Sequence, residues 1–150
     1  MRISVAADHN GFELKNEISA ILRKGGHDVI DIGPHSLDPL DDYPDYAKPL
    51  AESVSSGKTD RGIMVCGSGV GASVAANKVK GVRAAVCHDI YSAHQGVEHD
   101  DMNVLCLGSR IVGAEVVREL VSAFISAVYT NEERHARRLN KVIEMENDFR

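Results

Sequence analysis

Short apolar runs alternate with stretches in which apolar positions recur every three to four residues, and this alternation persists from end to end. Ile3 to Ala7 reads as a buried strand, and Phe12 to Leu22 as an amphipathic helix carried by Phe12, Leu14, Ile18, Ile21 and Leu22. Gly25-Gly26 stops that helix and Val29 to Ile32 starts a second strand. Gly33 to Pro44, with three of the four prolines, reads as an irregular surface loop with the character of a lid. A helix is predicted over Tyr46 to Val54, a strand over Ile63 to Cys66, and a helix from Ala72 to Val79 that Gly81 ends. Val82 to Cys87 is the fourth strand, and His88 to Glu98 begins as helix. Val104 to Leu107 is the fifth strand. Ala114 to Tyr129 has the widest apolar stripe, from Val117 and Leu120 to Ile125 and Val128. The charged helix Glu132 to Asp148 has a thin one of Leu139, Val142 and Ile143.

Strands that are continuous in Val, Ile, Ala and Leu, each followed by a helix, imply a parallel sheet covered on both faces. The expected architecture is a three-layer α/β/α, Rossmann-like domain around a five-stranded parallel sheet, a single domain over residues 1–150. In such sheets ligands bind beyond the carboxyl ends of the strands, where connections diverge to opposite faces. Asp8-His9 follows the first strand and Cys66-Gly67-Ser68 the third, so the two motifs share one crevice if those strands are neighbours.

The stretch Gly62 to Lys78, GIMVCGSGVGASVAANK, carries the most specific signal. A strand ends at Cys66, and Gly67, Gly69 and Gly71 let the backbone turn with its amides exposed, a geometry that attracts anions. The glycines read G-x-G-x-G after the third strand, not the G-x-G-x-x-G of a dinucleotide fingerprint. Asp89 downstream keeps nucleotide binding as a minor alternative. The three cysteines, Cys66, Cys87 and Cys106, lack C-x-x-C spacing and are free thiols; Cys87 and Cys106 read as small buried hydrophobes.

Three further clusters allow more than one reading. Asp8-His9-Asn10-Gly11 is either a helix cap or a pair of side chains that binds hydroxyls or phosphate. His94 to Asn103, with His99, Asp100 and Asp101, is a solvated turn, a metal site or the source of a general acid or base in His99. Arg134 and Arg138 lie four apart on one helix face, with His135 beside them, which suits either solvent or a phosphate dianion. Arg110, after the fifth strand, is a further candidate anion ligand.

Composition narrows the class. A net charge of −5 opposes a general nucleic-acid surface, and no apolar run reaches the roughly 18 residues of a membrane span. With no signal-peptide pattern at the start, a cytoplasmic location is expected.

These residues together resemble ribose-5-phosphate isomerase type B, in the group that also contains galactose-6-phosphate and allose-6-phosphate isomerases. The resemblance rests on Asp8-His9, Asp42-Tyr43-Pro44, Cys66 to Gly71 running into Ala75-Ala76-Asn77-Lys78, His99, Asn103-Val104-Leu105, Gly108-Ser109-Arg110, and Arg134-His135 with Arg138. It implies an aldose–ketose isomerase that interconverts ribose 5-phosphate and ribulose 5-phosphate through an enediolate without metal or organic cofactor, the alternatives being an isomerase of a six-carbon aldose phosphate and a non-catalytic phosphosugar-binding protein. It further implies that Cys66 is the base, that the amides of Gly67, Gly69, Val70 and Gly71 hold the oxyanion, and that Ser68 bonds the sugar oxygens. His99 would open the furanose ring, Asp8 would bind hydroxyls, and His9, Arg134, Arg138 and Arg110 would take the phosphate, with His135 nearby. The resemblance also implies a homodimer or dimer of dimers, with the His99 segment supplied by the partner and the C-terminal helix reaching it. Asp100 stands where the family commonly has Asn, and Gly96-Val97 where Ser-Arg is frequent. Recognition of the sugar's middle hydroxyls is the property expected to differ.

Overall fold

The computed structural model describes residues 1–149. Strands β1 (Arg2–Ala7), β2 (Asp28–Gly33), β3 (Arg61–Cys66), β4 (Ala84–Val86) and β5 (Val104–Gly108) form one parallel sheet in the order β2-β1-β3-β5-β4. The helices are α1 (Phe12–Lys24), α2 (Tyr43–Ser55), α3 (Val70–Ala76), α4 (Ile90–Asp100), α5 (Ala114–Ser126) and α6 (Glu133–Asp148). Alternate strand residues face opposite sides. Ile3, Val5, Ile63, Val65, Leu105 and Leu107 pack under α1, α4 and α5, whereas Ala6, Met64, Val104 and Cys106 pack under α2 and α3. The expected three-layer fold is present. Phe124 of α5 is fully buried in the first layer, a burial that contributes about 2–3 kcal/mol.

β1 and β3 are neighbours, with Ala7 level with Val65, so the loops after them open on one crevice. The connection from β1 leaves on the α1 face and that from β2 returns on the α2 face, which makes this the switch point.

Several boundaries differ from the periodicity. α2 starts at Tyr43, within the stretch expected to be loop, because Pro44 fits the first turn of a helix. α3 starts at Val70 and ends at Ala76, earlier at both ends than the small apolar residues suggest. β4 is only Ala84–Val86, and α5 stops at Ser126 rather than Tyr129. The expected turn around His94 to Asp100 is helix: α4 continues to Asp100 and turns at Asp101, which is left-handed at φ 50°. Asn103 is structural, accepting from the Arg83 amide at 2.8 Å and donating to the Gly81 carbonyl at 2.9 Å.

Candidate active site at the switch point

Cys66 is the last residue of β3 and is 4% exposed. Its Sγ accepts a hydrogen bond from the Gly69 amide at 3.1 Å. That geometry needs glycine, since Gly69 has φ 81° and a Cβ there would lie 3.1 Å from the Leu107 carbonyl carbon. The Gly69 amide thus serves the thiol, and the Val70 amide donates to Ser68 Oγ at 3.3 Å, which leaves neither aimed outward. The end of β5 is hooked to the same loop, with the Ser109 amide donating to the Cys66 carbonyl and the Arg110 amide to that of Gly67.

Cys66, Gly67, Ser68 and Gly71 line a cavity of about 360 Å³ together with Asp8, Tyr43, Arg110 and Ile111. Asp8 is 5% exposed and serves the turn before α1, although it is not the α1 cap, which is Gly11. Its Oδ1 accepts from the amides of Asn10 and Gly11 at the approach to α1, and the residue also walls the cavity. Tyr43 leans across Gly71, where a Cβ would come within 2.8 Å of its ring.

His9 borders this crevice in a continuous polar chain. Its Nδ1 meets Asp41 Oδ1 at 2.7 Å, its Nε2 meets Asn10 Nδ2 at 2.8 Å, and Asn10 Oδ1 accepts from Arg110 at 2.6 Å. The hydrogen bond to Asp41 raises the His9 pKa above that of a free imidazole, and the charge of Asp8 adds to it.

The remaining predicted residues lie elsewhere in the chain. His99 is in the last turn of α4, which delivers the chain to the start of β5, whereas Cys66 is level with the end of β5 at Gly108. The length of β5 alone separates these levels by about 13 Å. His99 Nδ1 meets Gln95 Nε2 at 2.7 Å, and its ring stacks on that of His135. His135 is 1% exposed with Nδ1 against Thr130 Oγ1, so it offers no surface to a ligand; it supports His99 from behind. Arg134 and Arg138 are exposed beside it, and Asp100 is exposed at the end of α4. The structure therefore holds two groups of residues, one at each end of the sheet.

Two alternatives find no support in the geometry. Asp89 caps α4 through the Ser92 amide at 2.7 Å, which accounts for that carboxylate without a nucleotide. His94 pairs with Glu98 at 3.0 Å, and among the described residues no cluster of His, Cys, Asp and Glu is arranged to hold a metal ion. Tyr43 and Ile111 line the crevice, and Asn10 and Asp41 join it through His9; Ile111 and Asp41 carried no signal in the sequence, whereas Pro44 was available to place Tyr43 at a helix start. No described helix is long and apolar enough to cross a membrane.

The layout is that of a doubly wound α/β enzyme that takes a small ligand at its switch point. The profile of the ribose/galactose isomerase family matches residues 3–142. Ribose-5-phosphate isomerase B of Escherichia coli is 45% identical over 145 residues, covering 97% of this chain and 96% of that protein. D-erythrulose-4-phosphate isomerase of Pectobacterium atrosepticum is 39% identical over 132 residues, covering 86% and 85%. The solved structure of Clostridium thermocellum ribose-5-phosphate isomerase B superposes with a TM-score of 0.96 at 45% identity over all of both chains. The chain belongs to the ribose/galactose isomerase family and is an aldose–ketose isomerase.

Proposed function

We propose that this protein interconverts ribose 5-phosphate and ribulose 5-phosphate through an enediolate, with Cys66 as the base. The observation that carries the reading is the Cys66 thiol, held by the Gly69 amide in a cavity walled by Asp8 and Ser68. The Cys66 thiolate would take the proton from C2 of the open-chain aldose and return it to C1, while the proton on the two oxygens exchanges across the enediolate. Ser68 is exposed at the loop tip, where its hydroxyl can bond those oxygens, and the remaining loop amides of Gly67 and Gly71 face the developing charge. Asp8 binds a sugar hydroxyl. His9 and Arg110 border the phosphate end, and the scheme uses no metal or organic cofactor.

His99, Arg134 and Arg138 enter from a second subunit in this reading. Within one chain they lie at the wrong end of the sheet, and a two-fold partner brings one chain's far end to the other's crevice. The apolar stripe of α6 supports a partner: Val142 is 51% exposed, and with Leu139 and Ile143 it lines a groove of about 790 Å³ against Val82, Ala84 and Met102. A homodimer is the smallest assembly that completes the site, and a dimer of dimers also satisfies it.

A four-carbon or six-carbon sugar phosphate is the second reading, favoured by the 39% identical erythrulose-4-phosphate isomerase and by Asp100 and Gly96 in the α4 segment. The experiment is an isomerisation assay on tetrose, pentose and hexose phosphates with chelator present. Preferred turnover of ribose 5-phosphate supports the first reading. A higher kcat/KM on another chain length replaces it, and no turnover on any refutes both.

A further inference from the structure

His9 is clamped by a residue that the sequence leaves anonymous. Asp41 comes from the loop between β2 and α2, and its side chain is only 6% exposed. One of its oxygens, Oδ1, receives both the His9 backbone amide at 2.9 Å and the His9 ring at Nδ1, 2.7 Å away. A carboxylate oxygen only accepts, so Nδ1 must carry the hydrogen. The neutral ring then presents Nε2 as its acceptor, which the Asn10 amide fills, and Asn10 in turn takes a hydrogen bond from Arg110. The direction of every bond from Arg110 to Asp41 is set by that one carboxylate. Such control of a ring's tautomer and aim by a carboxylate behind it recurs wherever a histidine must keep one nitrogen for a ligand.

Other parts of the fold hold Asp41 in place. Tyr46 of α2 stands beside it, with its hydroxyl pKa pushed up by burial and by the Asp41 charge. The start of the same loop is tied down by the buried Lys15 of α1, whose Nζ donates to Asp31 and to the Pro34 carbonyl, each at 2.8 Å. The charged groups that face His9 are Asp8, Asp41 and, through Asn10, Arg110.

We propose that Asp41 is a positioning residue for ligand binding. It fixes the His9 ring through Nδ1–H, so that Nε2, once it takes a proton and gives up its bond from Asn10, donates beside Arg110 to the phosphate oxygens of the substrate. This rests on the reading of His9 as a phosphate ligand given above. Asp41 itself touches no substrate; it acts through the imidazole.

The test is a double-mutant cycle of His9→Ala and Asp41→Asn, read as KM and kcat for the preferred sugar phosphate and as inhibition by inorganic phosphate. Asp41→Asn keeps the shape and removes the charge, and it is expected to raise KM and the phosphate inhibition constant roughly 10-fold with kcat changed less than about 2-fold. In the His9→Ala background the same substitution should add nothing. Full additivity of the two substitutions overturns the proposal and leaves the role of His9 intact, whereas an unchanged KM in His9→Ala alone overturns the phosphate reading of His9. A measurement on the unsubstituted protein stands apart from both: the imidazole ¹⁵N shifts of His9 should show the Nδ1–H tautomer at high pH. An Nε2–H tautomer overturns the proposal.

Discussion

The rings of His99 and His135 stack with centroids 3.9 Å apart and planes 27° from parallel. One ring belongs to α4 and the other to α6, and only His99 is open to solvent. Two imidazolium ions at that separation would repel. The His135 pKa is accordingly lowered, by burial first and then by His99 and Arg134.

A histidine whose folded-state pKa is lowered is held neutral by folding. Its contribution is present above the unfolded value near 6.5 and is lost as pH falls below it, because the unfolded chain takes up the proton first. Urea midpoints are therefore expected to fall between pH 7 and pH 5. His135→Phe, which keeps a stacking ring without a titrating nitrogen, should flatten that slope. His9 has the opposite sign: its contribution is present below pH 6.5 and fades as pH rises through its raised pKa.

Cys66→Ala is expected to lower kcat by about 10²–10⁴-fold, the usual worth of a positioned general base, with KM little changed. Substrate affinity measured by calorimetry should survive. Equal loss of affinity and turnover would assign the thiol to binding rather than to proton transfer.

Subunit mixing tests the shared site. Cys66→Ala and His99→Ala are each expected to be nearly inactive alone. After unfolding and refolding together in equal amounts, they should recover roughly a quarter of the unsubstituted activity, because half of the dimers then carry one intact site of two. No recovery would place His99 and Cys66 in separate functions.

Gly69→Ala forces a Cβ into the left-handed region and against the backbone of Leu107, where the carbonyl carbon cannot yield. A loss of about 1–2 kcal/mol in chemical denaturation is expected. Activity should fall further than stability accounts for, because the amide that Gly69 gives to Cys66 moves with the backbone.

The sheet was legible in the sequence because its strands are nearly continuous in Val, Ile, Ala and Leu, and the crevice because Asp8 follows one strand and Cys66 ends another. What stayed hidden depends on contacts between distant residues. Asp41 is 32 residues from His9, and nothing in the spacing marks it among the other acidic residues of its loop. Tyr43 looked like loop because prolines surround it, though Pro44 at a helix start was the available clue. His135 looked like a member of a basic face, and its burial against His99 follows only from how α6 meets α4. The separation of His99 from Cys66 needed the strand order, which periodicity does not contain.

The three thiols are chemically unequal. Burial pushes the Cys87 thiol up to about 11 and that of Cys106 higher still, so both stay protonated and closed to reagents in the folded protein. Cys66 lines the crevice cavity. Once oxidised to a sulfenic acid, Cys66 has nearby the protonated thiol of the fully buried Cys106 rather than a thiolate, and reactivation then depends on a small external thiol able to enter a space of about 360 Å³. The same placement makes Cys66 the thiol at which a small thiol-selective alkylating probe is expected to attach first, so label uptake at Cys66 should track the loss of activity.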